Sequence, residues 1–405
     1  MRKRLVLFVL IGVMLGYNAV EATEPIRVGL ISVRSGPFKT DGDRYVRTVE
    51  AAFKEINKAG GVLGRPLELL VEDHQMKPEI GVQKLKKMVL SDQCELILST
   101  SSAGTSMALA QAMPRYKKII MPVGAFPMDL TTKNFNPYVF RTDINIGMMI
   151  KALAVFVGTQ KKEFKKVYLL NMDYATGQDA AKFYEKFIKE IAPDTQIVGN
   201  DFHPMFNKDF GPYVSKIKVS GADYVLTIDW GTDLTQLLIQ GRSLGLKIPF
   251  VSILGGDTNV LSVLPGDEAV GNFAVNSYTP GFDSPEARKF EESFYASTGG
   301  LWPEEQVWYG YKGVMMYAEA VKKAGSLDVD KIIKSFETLK WNGPTGTVTM
   351  RAKDHQAFQP MVISQVVKKT KYYDFPYLKP IHVVPAEQVD YNPEDFGWKP
   401  YQEEK

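Results

Sequence analysis

The 405-residue chain contains one cysteine, Cys94, and four histidines, His74, His203, His355 and His382. A lone thiol precludes an intramolecular disulfide, and histidines scattered this way lack zinc-site spacing. Cys94 heads the apolar stretch 95–98, which predicts a buried, inert thiol. No GxGxxG follows a predicted strand, no Walker A sequence is present, and no GxSxG elbow offers a hydrolase nucleophile. The turn Gly60-Gly61-Val62-Leu63-Gly64-Arg65 follows a predicted helix and precedes a predicted strand, the reverse of phosphate-cradle order. It reads as a helix C-cap with positive φ at Gly60 or Gly61. No cofactor, metal or catalytic residue is expected, and nothing calls for an enzyme.

Long apolar runs and net charge are scarce as well. The run 5–15 follows Arg2, Lys3 and Arg4 and leads to Val20-Glu21-Ala22, the layout of a cleavable signal peptide over 1–22. It is short of the roughly 20 residues a bilayer requires. A later run, 148–158, is interrupted by Lys151. The formal charge is +3, and removing 1–22 leaves 46 basic and 45 acidic residues. That balance argues against a nucleic-acid or anionic-membrane surface. With no cysteine near the cleavage site to take a lipid, a free periplasmic protein is expected.

With 45% apolar and 23% charged residues, 33 Gly and 23 Pro, the chain has the make-up of a multi-element α/β protein. Strands at 26–33, 67–72, 96–98 and 119–123 alternate with helices at 43–59, 79–90 and 106–116. A second series follows: helices 146–157, 178–191, 210–219 and 234–244, with strands 166–171, 196–200, 224–228 and 250–253. Two doubly wound lobes result. Strands at 271–277, 346–350 and 361–367, with helices at 285–297, 306–324 and 329–339, are too few for a third domain and are expected to complete the first two. Residues 372–405 lack periodicity and are expected to wrap the surface.

Two loops stand between strand and helix where open parallel sheets bind ligands. Ser99-Thr100-Ser101-Ser102-Ala103-Gly104-Thr105-Ser106 offers hydroxyls and free amides to an anion such as a carboxylate, or simply an N-cap. Asp173-Tyr174-Ala175-Thr176-Gly177-Gln178 is its counterpart in the second lobe. Trp302 and Trp308, which flank a helix start, read as packing residues.

Ser35-Gly36-Pro37, the turn 57–69 with Asp73 after it, Ser101-Ser102, Phe140-Arg141-Thr142, the loop 173–177 and Asp354-His355-Gln356 together resemble the periplasmic branched-chain amino-acid-binding (Leu/Ile/Val-binding) proteins of ABC importers. The similarity spans roughly 26–368. It implies the type I periplasmic binding protein fold: two Rossmann-like lobes joined by a three-segment hinge, with crossings near 142–145, 275–280 and 351–358. Lobe one would comprise 23–143 and 278–351, lobe two 144–277 and 352–371.

The resemblance also implies site residues. Ser102, with Ser101 and the amides at Ala103, would hold a ligand carboxylate. Gly124, Ala125 and Phe126 would form the second carboxylate segment, whose usual hydroxyl is replaced by Ala125 or Phe126. Tyr174, Thr176 and Trp230 would wall the cleft, with Phe38 a further aromatic. Asp257, or failing it Asp229, would meet a ligand ammonium, and Asp41 stands where leucine binders carry an aromatic. The implied partners are a small carboxylate-bearing ligand, foremost a branched-chain or other apolar amino acid, and an inner-membrane ABC permease, with the protein a monomer. If neither aspartate is in place, an aromatic or aliphatic acid fits better. A periplasmic sensor subunit, or an enzyme on the same scaffold, are the other function classes.

Overall fold

The computed structural model describes residues 23–402, so the predicted leader lies outside the described residues. Its first part alternates β1 (Ile26–Ser32), α1 (Lys39–Lys58), β2 (Leu67–Asp73), α2 (Pro78–Leu90), β3 (Leu96–Ser99), α3 (Ala103–Ala112) and β4 (Ile119–Pro122). The four strands form one parallel sheet in the order β2-β1-β3-β4. β3 and β4 are buried along their whole length, which is why each reads as a continuous apolar run instead of an alternation. α1 turns Tyr45, Val49, Ala52, Phe53 and Ile56 inward at helical spacing. Gly60 and Gly61 both take positive φ, at 97° and 78°. A Cβ on Gly61 would sit 2.1 Å from the Arg65 carbonyl oxygen, so this turn admits no other residue there. Cys94 is buried, and burial pushes its thiol up to about 12.

The second series runs α4 (Ile146–Gln160), β5 (Lys166–Met172), α5 (Ala175–Ile191), β6 (Gln196–His203), α6 (Gly211–Ser220), β7 (Tyr224–Thr227), α7 (Gly231–Ser243), β8 (Phe250–Ser252), α8 (Thr258–Leu261) and β9 (Phe273–Asn276). After it come α9 (Pro285–Ser297), α10 (Glu305–Ala324), α11 (Val329–Glu337), β10 (Lys340–Gly343), β11 (Gly346–Arg351), β12 (Gln356–Phe358), β13 (Met361–Val367), β14 (Tyr377–Val384) and α12 (Ala386–Val389). The larger sheet has the order β14-β13-β9-β8-β7-β5-β6, with β13 antiparallel to both β9 and β14 and the remaining pairs parallel. α10 returns to pack along α1. β10, β11 and β12 make a small antiparallel sheet of their own. α4 is buried nearly all round because it lies between α5, α12 and the strands β9, β13 and β14. The apolar run at 148–158 is therefore a core helix, and no helix among the described residues is long and apolar enough to cross a membrane.

Residues 372–405 do not merely wrap the surface: β14 pairs with β13 along its length, and Tyr377 and Leu378 are buried in the second core. Beyond it, Tyr391 is buried and its hydroxyl accepts from Asn145 Nδ2 at 2.6 Å. Alternation is weak in β14 because Lys379, Pro380 and His382 occupy positions on an edge strand, where charge and proline are tolerated.

The chain passes between the two sheets after β4, after β9 and between β12 and β13. These passages are wired to one another. Arg141 pairs with Gln356 in an isolated parallel bridge, and its guanidinium is wholly buried among Gln356 Oε1, the Pro127 carbonyl and Thr131 Oγ1. Gln359 Nε2 donates to the Thr142 carbonyl, and Thr279 and Ser364 share a hydroxyl contact at 2.8 Å. Lys312, on α10 and fully buried, donates to Gln359 Oε1 at 2.6 Å and lies 3.8 Å from Asp143 Oδ1. Burial pushes the Lys312 ammonium down from 10.5 to about 8, with Asp143 opposing the shift. Between those values the unfolded chain holds this proton and the folded chain does not, so the lysine's contribution to stability rises with pH from about 8 to 10.5. Urea denaturation of Lys312→Met over roughly pH 7 to 11 should lack that rise when compared with the parent chain.

Candidate functional site

A cavity of about 790 Å³ opens where the carboxyl ends of the parallel strands of the two larger sheets face each other. The start of α1 supplies Phe38, Asp41 and Tyr45, the β3–α3 loop Ser101, Ser102 and Ala103, and the segment after β4 Gly124 and Phe126. From the larger sheet come Met172, Tyr174 and Thr176 after β5, Trp230 after β7, and Leu254 and Asp257 after β8. Of the predicted site residues, nine line this one cavity: Ser101, Ser102, Ala103, Gly124, Phe126, Tyr174, Thr176, Trp230 and Asp257. Ala125 does not. It is 3% exposed and faces away, into the core with Ile97, Leu109 and Leu130.

Ser102 is the N-cap of α3, its Oγ accepting from the Thr105 amide at 3.2 Å. The capping reading of this serine therefore holds. It does not exhaust the side chain, since a hydroxyl that accepts from an amide still has its own proton to donate. The amides of Ala103 and Gly104 have no partner within the helix and carry its positive dipole end. Gly124 contributes less than expected, because its amide already donates to Asp143 Oδ2 at 2.9 Å.

The wall also carries acidic residues. Arg44, 3% exposed, meets Glu304 at 2.7 Å, Asp257 at 3.1 Å and Asp41 at 3.7 Å, and donates to Gln306 Oε1 at 2.7 Å. Burial alone would push the guanidinium down, but Glu304, Asp257 and Asp41 together hold it above its ordinary value. Burial pushes the carboxyls of Asp41 and Glu304 up despite Arg44, and raises Glu305 well above its usual range, with Asp257 beside it adding to the shift. Asp257 also caps α8 through the Asn259 amide. Among the described lining residues the charged ones are Asp41, Asp233 and Asp257, with no lysine, arginine or histidine. Asp229, the fallback partner for an ammonium, is not on the wall: it is fully buried, 2.8 Å from His203 Nε2, and accepts the Met172 amide.

Aromatic rings close the remaining sides. Phe38 and Trp230 meet across the cleft with centroids 5.9 Å apart, and Phe126 stands edge-on to Tyr309 at 5.9 Å. Burial pushes the Tyr174 phenol up to about 12, with Thr176 and Trp230 beside it opposing the shift. Trp308 stacks on Trp341 and Trp302 packs on Tyr295, both away from the cavity, as packing residues do. Among the residues that the sequence did not single out are Met205, Phe206 and the Arg44–Glu304 pair. Arg44 had a readable signal, a cation in the buried stripe of α1 beside Tyr45 and Thr48. Phe206 had none, since one aromatic in an irregular loop has no period to violate.

A family model described as periplasmic binding protein matches residues 25–371. The chain belongs to that family. It is 28% identical over 364 residues to "Leu/Ile/Val-binding protein homolog 4" of Brucella melitensis biotype 1, covering 86% of each chain. Among solved structures it is similar to the leucine-, isoleucine-, valine-, threonine- and alanine-binding protein from Brucella ovis in its closed conformation, with a TM-score of 0.83, 25% identity and coverage of 91% of this chain and 97% of that one. A solute-binding protein of an R. palustris ABC transporter, in complex with 4-hydroxybenzoate, shares the fold at a TM-score of 0.77 and 21% identity, over 90% and 98% of the two chains. The two-lobed architecture is thus that of type I periplasmic binding proteins.

The buried ion cluster makes a direct prediction. Arg44→Met leaves Asp257 and Glu304 without their cation and should lower unfolding stability by about 3–5 kcal/mol in urea denaturation. Arg44→Lys should recover only part, since an ammonium cannot reach Glu304, Asp257 and Gln306 together as the planar fork does.

Proposed function

We propose that the cavity binds a small zwitterionic ligand, an apolar amino acid, and that the protein hands it to an ABC permease in the inner membrane. One observation carries this reading: a single cavity holds both the donors at the start of α3 and the carboxylates of Asp41 and Asp257, with no lysine, arginine or histidine among the described lining residues. A carboxylate at Ser102 and the first amides of α3 gains charge-assisted hydrogen bonds. An ammonium beside Asp41 and Asp257 relieves a cluster in which carboxylates outnumber Arg44. A simple carboxylic acid would bring one more negative charge to that cavity, at a cost that low dielectric enlarges. The Brucella relatives named for leucine, isoleucine and valine agree with this choice. The family points to the periplasm, and the leader at 1–22 is the proposed route of export.

An aromatic acid is the second reading. The rings of Phe38, Phe126, Tyr174 and Trp230 favour it, as does the engagement of Asp257 with Arg44. Closing the lobes on either ligand couples affinity to the open–closed balance.

A thermal-shift panel of amino acids and aromatic acids on the mature chain tests both readings. An amino acid at about 100 times its Kd should stabilise by roughly 2.7 kcal/mol. Ser102→Ala should weaken it about tenfold or more, and Asp257→Asn should weaken amino acids while sparing simple acids. Stabilisation by benzoate with no response to any amino acid would put the second reading in place of the first.

A further inference from the structure

The larger sheet's rim carries an apolar group that the reading above does not use. Met205, Phe206 and Val263 are exposed by 39%, 59% and 60%, and all three line the cavity. Large apolar side chains left in water along one edge of a binding cleft mark a surface that a ligand covers. The loop after β6 that carries two of them is pinned. Phe206 has φ of 61°, a left-handed conformation in which a bulky L-residue is an outlier. Both oxygens of Asp233 hold it there: Oδ2 accepts the Phe206 amide at 3.0 Å and Oδ1 the Asn207 amide at 2.8 Å. At the root of the loop, His203 Nδ1 lies 2.9 Å from the Pro204 carbonyl oxygen, and Nε2 lies 2.8 Å from Asp229. Asp233 is itself 3% exposed, so its carboxylate is committed to this task and not offered to the ligand.

Building on the proposed ligand, and resting on it, we infer that Phe206 is a specificity-determining side chain and Asp233 the residue that positions it. The ring extends the apolar wall at the larger sheet's rim, where it would meet the distal part of a ligand anchored at α3. The ligand class is therefore amino acids with large aromatic or long aliphatic side chains, preferred over alanine-sized ones. A cavity of about 790 Å³ has room for them.

Isothermal titration of the mature chain with L-alanine, L-leucine and L-phenylalanine, and with propionate, 4-methylpentanoate and 3-phenylpropanoate, tests this. The parent chain should prefer the large member of whichever series binds by about tenfold or more. Phe206→Ala should cut that preference to a few-fold, and Phe206→Leu should keep part of it. Asp233→Asn, which loses one of the two amide acceptors, should cut it similarly, yet change nothing further in a Phe206→Ala background. A merely structural aspartate would add its effect there instead. Unchanged preference in Phe206→Ala, a parent chain that favours the small member, or additive effects would each overturn the assignment while leaving the proposed function standing. A chain that binds neither series would overturn both.

Discussion

At the back of the cavity a single guanidinium, that of Arg44, meets Glu304, Asp257 and Asp41, with Glu305 close behind. A charge removed from water must find partners within bonding distance, and this requirement ties together three stretches far apart in the chain: the first two turns of α1, the loop after β8 and the start of α10. α1 leans on the smaller sheet's side and Asp257 belongs to the larger sheet, so the cluster spans the cleft it borders. Burial pushes the carboxyls of Asp41, Glu304 and Glu305 toward their neutral forms, which limits the repulsion that acids crowded around one cation would otherwise create. A cation entering the cavity reverses that balance in favour of the ionised forms. Electrostatics, not area alone, thus connects what fills the cleft with how the two halves are held.

The passages between the sheets meet the same constraint with different chemistry. Arg141, wholly buried, is satisfied by Gln356, Thr131 and main-chain carbonyls in place of carboxylates, and burial holds its guanidinium below the ordinary value. Asp143 faces Lys312 on one side and accepts the Gly124 amide on the other. Gly124 lines the cavity, so one carboxylate joins its wall to the first passage, and through Lys312 and Gln359 to the third. A hinge movement that altered these passages would be felt at Gly124 through two hydrogen bonds and the Lys312–Asp143 ion pair, a short route for coupling closure to the site. Gly124 owes its place to space as well: a Cβ there would lie 2.0 Å from the Tyr45 hydroxyl.

Where apolar periodicity is strong, the chain's architecture could be read from its letters. The alternation of short buried strands with amphipathic helices such as α1 gives the smaller sheet and the parallel part of the larger one, and the strands β3 and β4 fall where continuous apolar runs stand. β14 was not legible, because an edge strand with Lys379, Pro380 and His382 presents no clean alternation. Ala125 could not be placed because a one-residue uncertainty after β4 decides whether it or Phe126 points into the cavity, and only the backbone settles that. Asp229 and Asp257 illustrate the same limit for charge. Both follow buried strands of one sheet, yet the first is taken up by His203 and the second faces the cleft.

The helix boundaries hold a subtler lesson. Apolar period predicts starts at Ser106, Gln178 and Leu234, whereas α3, α5 and α7 begin three residues earlier, at Ala103, Ala175 and Gly231. Those first turns read Ala-Gly-Thr, Ala-Thr-Gly and Gly-Thr-Asp, small and polar residues that give no apolar signal. They lack it for a physical reason. Each turn sits at the carboxyl end of its preceding strand, and Ala103, Thr176 and Gly231 line the cavity. α1 shows the same lead, beginning at Lys39 where the period predicts Asp43, and its start also lines the cavity. By contrast α4 and α9 begin at the predicted residue, with their first turns packed in the interior or capped at Ser284. A helix that starts before its hydrophobic period does, repeated after β3, β5 and β7, is what a polar cleft at the edge of a parallel sheet imposes on a sequence. The delay between the turn signal and the first periodic apolar residue therefore points to the cleft without reference to any particular side chain.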